Sequence, residues 1–219
     1  MLTVKPITTL LFDFDGTLGD TNELIIATFQ HVLNDHFPGR FQREEILPFI
    51  GPSLHDTFSS IAPEMTDQLI DEYRVWNLAN HDELVSAFDG VEDTLRRLYE
   101  MGMKMAVVST KKRDMVERGL RLIGIDSYFE TVIGLDDVTN AKPDPEPLIL
   151  ALERLDRTPE EALMIGDNFH DILGGQNAGV RTAAVAWALK GEDYLQTFKP
   201  DFMLHHMSDL YDVLKGERP

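Results

Sequence analysis

Asp13-Phe14-Asp15-Gly16-Thr17 ends an apolar run, Leu10-Leu11-Phe12, and is the sharpest chemical signal in the chain. Side chains two apart on a strand share a side, so Asp13 and Asp15 can converge on one point beyond the strand end. Two nearby carboxylates attract a cation. The chain has no cysteine, so a metal must sit on oxygen or imidazole, and hard carboxylate oxygens suit Mg²⁺. Gly16 lets the backbone turn tightly against a ligand. The bland alternative is a turn or cap that satisfies backbone amides. Asp-x-Asp-Gly-Thr or its Ser variant arises by chance in a chain of this length about once in a hundred, which favours the functional reading.

Ser109 and Thr110 close a second apolar run, Met105 to Val108, and precede Lys111-Lys112-Arg113 at a helix start, where free amides and the helix dipole suit a phosphate. Taken alone, the pair reads more readily as an ordinary cap. Three cations oppose the dipole there, however, which a bound anion would explain. Lys142 lies in Asn140-Ala141-Lys142-Pro143-Asp144-Pro145, a loop whose prolines hold its direction. Gly166-Asp167-Asn168-Phe169-His170-Asp171 puts a third carboxylate at the end of a third run and a fourth one helical turn later, so both could face one metal. Capping by Asp167 competes with that reading, but four such signals are hard to explain as separate accidents.

Strands must deliver these residues. Leu10 to Phe14, Met105 to Val108, Leu163 to Ile165 and Val180 to Val185 are short apolar or β-branched runs with polar tips. Helical periodicity follows them at 114–123 and 147–155. Alternation of this kind predicts an α/β fold, a Rossmann-like doubly wound parallel sheet with ligands at the carboxyl ends of its strands. Residues 18–88 differ, with helical stripes (Leu24, Ile25, Phe29, Val32, Leu33; then Leu69, Ile70, Tyr73, Trp76, Leu78), breakers such as Gly51-Pro52, and no convincing strand. The expected organisation is a core of residues 1–17 and 89–219 with a helical cap domain of 18–88 inserted.

Twenty Lys and Arg against 38 Asp and Glu give a net charge of −18. Such a surface argues against nucleic acid and anionic membranes as partners. The longest apolar stretch of the C-terminal half, 183–189, is far short of the ~20 residues a span needs. The first eleven residues lack the apolar core of an export signal, so a cytoplasmic protein is expected. The seven His show no metal spacing and read as surface or capping groups.

The order Asp13-x-Asp15-Gly16-Thr17-Leu18, Ser109, Lys142, Gly166-Asp167-x-x-x-Asp171 resembles the haloacid dehalogenase-like superfamily of phosphotransferases, across the whole chain. Leu47 to Phe58, His81 to Val85, Leu135 to Val138 and Leu189 to Gly191 resemble more narrowly a bacterial pyrophosphatase branch of it. The resemblance implies that Asp13 attacks phosphorus to form a phosphoaspartate and that Asp15 protonates the leaving oxygen and later activates water. It implies phosphate contacts from Ser109, Thr110, Gly16, Lys111 and Lys142, with Lys142 also catalytic. Mg²⁺ would be held by Asp13, Asp15 (through its carbonyl) and Asp167, its water shell steadied by Asn168 and Asp171. The implied substrate is inorganic pyrophosphate, including that released when serine-phosphorylated HPr is dephosphorylated, a link to the HPr kinase/phosphorylase pathway. We further expect Lys111, Lys112 or Arg113 to hold the second phosphate. Gly19, where the family carries a bulkier residue, suggests a loose hinge into the cap. Rival readings are a phosphoglycolate or sugar-phosphate phosphatase, a capped mutase, and, from another class, a non-catalytic phosphate-sensing or receiver-like module, which would not need Asp15.

Overall fold

A strand buried on both sides can be apolar throughout, and Leu10, Leu11 and Phe12 are all inaccessible to solvent. They belong to β1 (Thr9–Phe12) in a computed structural model that describes residues 5–217. Residues 1–4 lie outside the described residues, and with them part of the stretch read for an export signal; so do 218–219. After β1 come β2 (Gly19–Asp20), α1 (Asn22–His36), α2 (Arg43–Ile46), α3 (Leu54–Ile61), α4 (Thr66–Leu84) and β3 (Ser86–Ala87). The chain continues through α5 (Val91–Glu100), β4 (Lys104–Val108), α6 (Arg113–Leu122), β5 (Thr131–Ile133) and α7 (Glu146–Leu155). It ends with β6 (Ala162–Gly166), α8 (Phe169–Asn177), β7 (Arg181–Val185), α9 (Glu192–Gln196), β8 (Phe202–Leu204) and α10 (Leu210–Lys215).

Six strands form one parallel sheet in the order β5-β4-β1-β6-β7-β8. The chain leaves β1 through β4 and β5, crosses back, and continues outward through β6, β7 and β8. The reversal falls beside β1, where doubly wound sheets open a crevice for ligands. Register does the rest. Phe12 pairs with Val107 and with Ile165, so Asp13 stands level with Val108 and Gly166, with Ser109 and Asp167 one residue further on.

Period-two alternation divides the core. Leu10, Phe12, Met105, Val107, Leu163 and Ile165 meet α5, α6 and α10 on one face, while Leu11, Ala106, Val108 and Met164 meet α7 on the other. The helical insertion has its own core, centred on Phe29, whose ring lies 4.8 Å from Tyr73 and 5.4 Å from Phe58. The expected fold class is borne out.

Some details differ from expectation. The short antiparallel pair β2–β3 falls inside the segment read as lacking strands, too brief at two residues each to show a pattern. Leu78, placed in a buried stripe, is 46% exposed because it turns toward the crevice rather than the helical core. Gly19 is no loose joint: its N–H donates to the Phe14 carbonyl at 3.0 Å, and a Cβ there would come within 2.9 Å of the Phe14 ring. The ring fills the space a side chain would take.

Candidate active site

Asp13 follows β1 directly, and its N–H continues the ladder to the Ile165 carbonyl at 2.9 Å, which fixes the buried carboxylate at the sheet edge. Lys142 reaches the same point from the proline-rich loop before α7. Its buried ammonium uses all three protons, donating to Asp13 Oδ1 (3.2 Å), Asp171 Oδ1 (2.6 Å) and the Val108 carbonyl (2.6 Å). Asp171, in the first turn of α8, also accepts the Asn168 N–H at 3.0 Å. Oxygens of Asp13, Asp167 and Asp171 all lie within 4.8 Å of one another.

Three buried carboxylates therefore gather beside one lysine, which bonds two of them. Burial is the main force that pushes the Asp13 carboxyl up to about 7; the charges of Asp171 and Asp15 add to it and Lys142 opposes it. Asp167 is raised well above the usual carboxylate range by burial, then by Asp13 and Asp171, with Lys142 opposing. Burial works against the Lys142 ammonium, yet Asp13 and Asp171 outweigh it and hold the lysine above its ordinary value. Such a donor set fits a divalent cation, which would offset the surplus negative charge. The backbone supports this: at Gly16 (φ +78°) a Cβ would lie 2.2 Å from Asp167 Oδ2, so only glycine lets the loop after β1 close over that carboxylate.

The other expected residues are distributed around this centre. Asp15 turns its side chain away from the acidic group and accepts from Lys111 Nζ at 2.7 Å, while Asp171, expected farther out, joins it. Buried Ser109 accepts the Lys111 N–H at 3.2 Å, closing the turn into α6. Lys112 stays exposed at the crevice, whereas Arg113 is committed to Asp137 and lies off the crevice wall. The cations before α6 are thus partly neutralised by Asp15 and Asp137, and their placement needs no bound anion to explain it. Thr110 and Asn168 face the helical insertion: Thr110 Oγ1 donates to the Gly51 carbonyl (3.3 Å) and Asn168 Nδ2 to the Ile50 carbonyl (3.1 Å).

Lys190, in the segment 189–191 that carries part of the resemblance, was given no role by the sequence; it donates to the same Ile50 carbonyl at 2.9 Å. A lone lysine beyond a strand end carries no signal of that role. Sequence reasoning also misjudged His81, which is wholly buried in α4 with Nδ1 at 2.8 Å from Asp82 Oδ1. Asp82 in turn takes a two-pronged contact from Arg118 of α6, so this imidazole packs where the insertion meets the sheet domain.

Above the carboxylates is a cavity of about 310 Å³ between the strand tips and the helical insertion. A buried acidic group, a lysine and a loop closed by glycine at a sheet's switch point can bind a cation and a phosphoryl group together. Comparison with known proteins agrees. The profile described as haloacid dehalogenase-like hydrolase matches residues 10–185. The chain belongs to that family. Proteins named pyrophosphatase PpaX from Bacillus cereus strain B4264 and Bacillus anthracis strain CDC 684 are 56% and 55% identical to it, covering 96% and 95% of this chain and 97% and 96% of theirs. A crystal structure of a haloacid dehalogenase-like hydrolase from Bacteroides fragilis superposes with a TM-score of 0.87 at 31% identity, covering 93% of this chain and 99% of that one. Among the described residues no helix is long and apolar enough to cross a membrane.

Proposed function

We propose that this haloacid dehalogenase-like hydrolase cleaves inorganic pyrophosphate to phosphate with Mg²⁺, in the cytoplasm, and that residues 18–88 act as the cap over its site. The observation that carries the chemistry is the convergence of Asp13, Asp167 and Asp171 on one buried point beside Lys142. Near full-length identity to proteins named pyrophosphatase PpaX supports the choice of substrate.

In this mechanism Asp13 attacks the nearer phosphorus and the bridging P–O bond breaks. Lys142, fixed by the Val108 carbonyl, balances charge on both the nucleophile and the phosphoryl group. Ser109 donates to a phosphoryl oxygen. Asp15 gives a proton to the departing phosphate, then takes one from the water that attacks the phosphoaspartate and releases the second phosphate. Lys111 leaves Asp15 for the outer phosphate as substrate enters. Asp13, Asp167 and the Asp15 carbonyl would hold Mg²⁺, with Asp171 and Asn168 around its waters; the ion neutralises carboxylate and substrate charge.

The test is phosphate release from pyrophosphate, phosphoglycolate and a sugar-phosphate panel, each with Mg²⁺ and with chelator, ranked by kcat/KM. Pyrophosphate should rank first, only with Mg²⁺, and Asp13→Asn should abolish it. Equal activity on every substrate would remove the pyrophosphatase reading.

A further inference from the structure

A glycine stands in the interior of α6, where alanine would favour the helix, and another opens β2, where a side chain would favour the strand. Both face one ring. A Cβ at Gly119 would lie 2.3 Å from Phe14 Cζ, and one at Gly19 would lie 2.9 Å from the same atom. Neither glycine has a positive φ, so the demand for glycine comes from the ring and not from the backbone. Phe14 is wholly buried, and close packing leaves its tip no second place to go.

The ring also meets the site. Lys111 Nζ lies over it, 5.8 Å from the centroid, while bonding Asp15 Oδ1 at 2.7 Å. An aromatic face attracts an ammonium whichever oxygen that ammonium bonds, so it supports Lys111 on Asp15 and equally on a phosphate that draws the lysine away. The turn that carries Asp15 is held separately, by backbone. The Phe14 carbonyl accepts the N–H groups of Leu18 and Gly19, each at 3.0 Å, and the Asp13 N–H bonds the Ile165 carbonyl at 2.9 Å. We infer that Phe14 is a positioning residue: seated in the socket of Gly19 and Gly119, its ring holds the Lys111 ammonium where it passes from Asp15 to the outer phosphate of pyrophosphate. The inference rests on the pyrophosphatase reading, in which Lys111 and not the ring touches substrate.

Two measurements on the full chain with Mg²⁺ test this. The first is steady-state hydrolysis of pyrophosphate. The second is calorimetric binding of methylenediphosphonate, whose P–C–P bridge cannot be hydrolysed. Phe14→Leu removes the aromatic face and Gly119→Ala displaces it, so each should raise KM and weaken phosphonate binding about two- to fivefold. The turnover number kcat should stay within about twofold, because the backbone bonds around Asp13 and Asp15 remain. Gly119→Ala should add nothing once Phe14 is Leu, and neither change should alter KM or affinity once Lys111 is Ala. If Gly119→Ala does not fold, Phe14→Leu with and without Lys111→Ala decides the same point. Effects that persist undiminished in the Lys111→Ala protein, or unchanged KM and affinity in both single variants, would overturn the inference and leave the pyrophosphatase reading standing. Phosphonate binding that follows the expected pattern in a protein that does not hydrolyse pyrophosphate would leave the positioning role standing and remove the pyrophosphatase reading. Absence of both hydrolysis and binding removes both.

Discussion

Replacing Asp167 by Asn takes away a buried negative charge with almost no change of shape, and the metal-free protein should become more stable as a result. The Asp13 carboxyl is pushed from 3.8 to about 7. A shift of that size corresponds to about 4 kcal/mol spent on ionising it inside the fold. Asp167 is raised in the same direction, by burial first and then by the charges of Asp13 and Asp171. Asn relieves that burial penalty and the repulsion Asp167 meets from Asp13 and Asp171, but its amide must still be desolvated, so a net gain of about 2–4 kcal/mol is expected near neutral pH. In a chain of this size that is a rise in Tm of roughly 5–10 °C. The sign of the pH dependence follows from the raised values. Below the unfolded value near 4 the carboxyls are protonated in both states and carry no penalty; as pH climbs through about 7 the wild-type protein loses that stability. The advantage of Asp167→Asn should therefore be absent near pH 4 and grow as pH rises toward neutrality. Urea and thermal unfolding in chelator across that range measure it, with Mg²⁺ added in a parallel series. Mg²⁺ should stabilise the wild type, barely affect the variant, and close the gap, while the variant releases no phosphate. A variant equal to or less stable than wild type at neutral pH in chelator would refute the charge argument.

Asp15→Asn should permit at most one phosphoryl transfer per molecule, seen as a stoichiometric burst and a phosphorylated chain by mass spectrometry; undiminished steady turnover would favour a mechanism without Asp15. Lys142→Met leaves Asp13 and Asp171 without their shared counter-charge, so stability should fall by about 3–5 kcal/mol at neutral pH and by less in acid, read by denaturant unfolding. Lys111→Ala should raise KM for pyrophosphate about tenfold, whereas Arg113→Ala, whose partner is Asp137, should leave KM unchanged and lower Tm slightly. Gly51→Ala places a Cβ within 2.2 Å of Asn168 Nδ2 at a φ of +109°, so the corner must lift, and KM should rise about tenfold in steady-state assays.

What could be read in the sequence was what depends on short spacing. Asp13 and Asp15 sit two apart after a run that is apolar on every residue, and Asp167 and Asp171 lie one helical turn apart, so local geometry alone assigns them to strand tips and a first helical turn. Their convergence needed the register, Phe12 against Val107 and Ile165, which no local pattern encodes. β5 and β8, three residues each, are too short for alternation to stand out. The pairing of Lys111 with Asp15 spans 96 residues, and that of Lys190 with Ile50 spans 140. His81, expected as a surface or capping group, continues at four-residue spacing the face of α4 that buries Leu69, Tyr73 and Asn77.

Three strand ends each lend a donor to one corner of the helical insertion: Thr110 after β4 to Gly51, and Asn168 after β6 and Lys190 after β7 to Ile50. All three bonds end on backbone carbonyls, which every residue type supplies. Seating the insertion therefore asks for a glycine at 51, where the left-handed backbone and the approach of Asn168 leave no room for a Cβ, but places no demand on the insertion's own side chains that line the chamber. Phe49, Leu54 and Leu78 are free to set what fits above the phosphate without disturbing closure. Loss of Lys190 and change of Leu78 should consequently act on different quantities. Lys190→Met should raise KM for every substrate by a similar factor, because it weakens a shared closed state, whereas Leu78→Asn should act according to the leaving group. A Lys190→Met effect confined to one class of leaving group would show that cap seating and substrate choice are not separable in this fold.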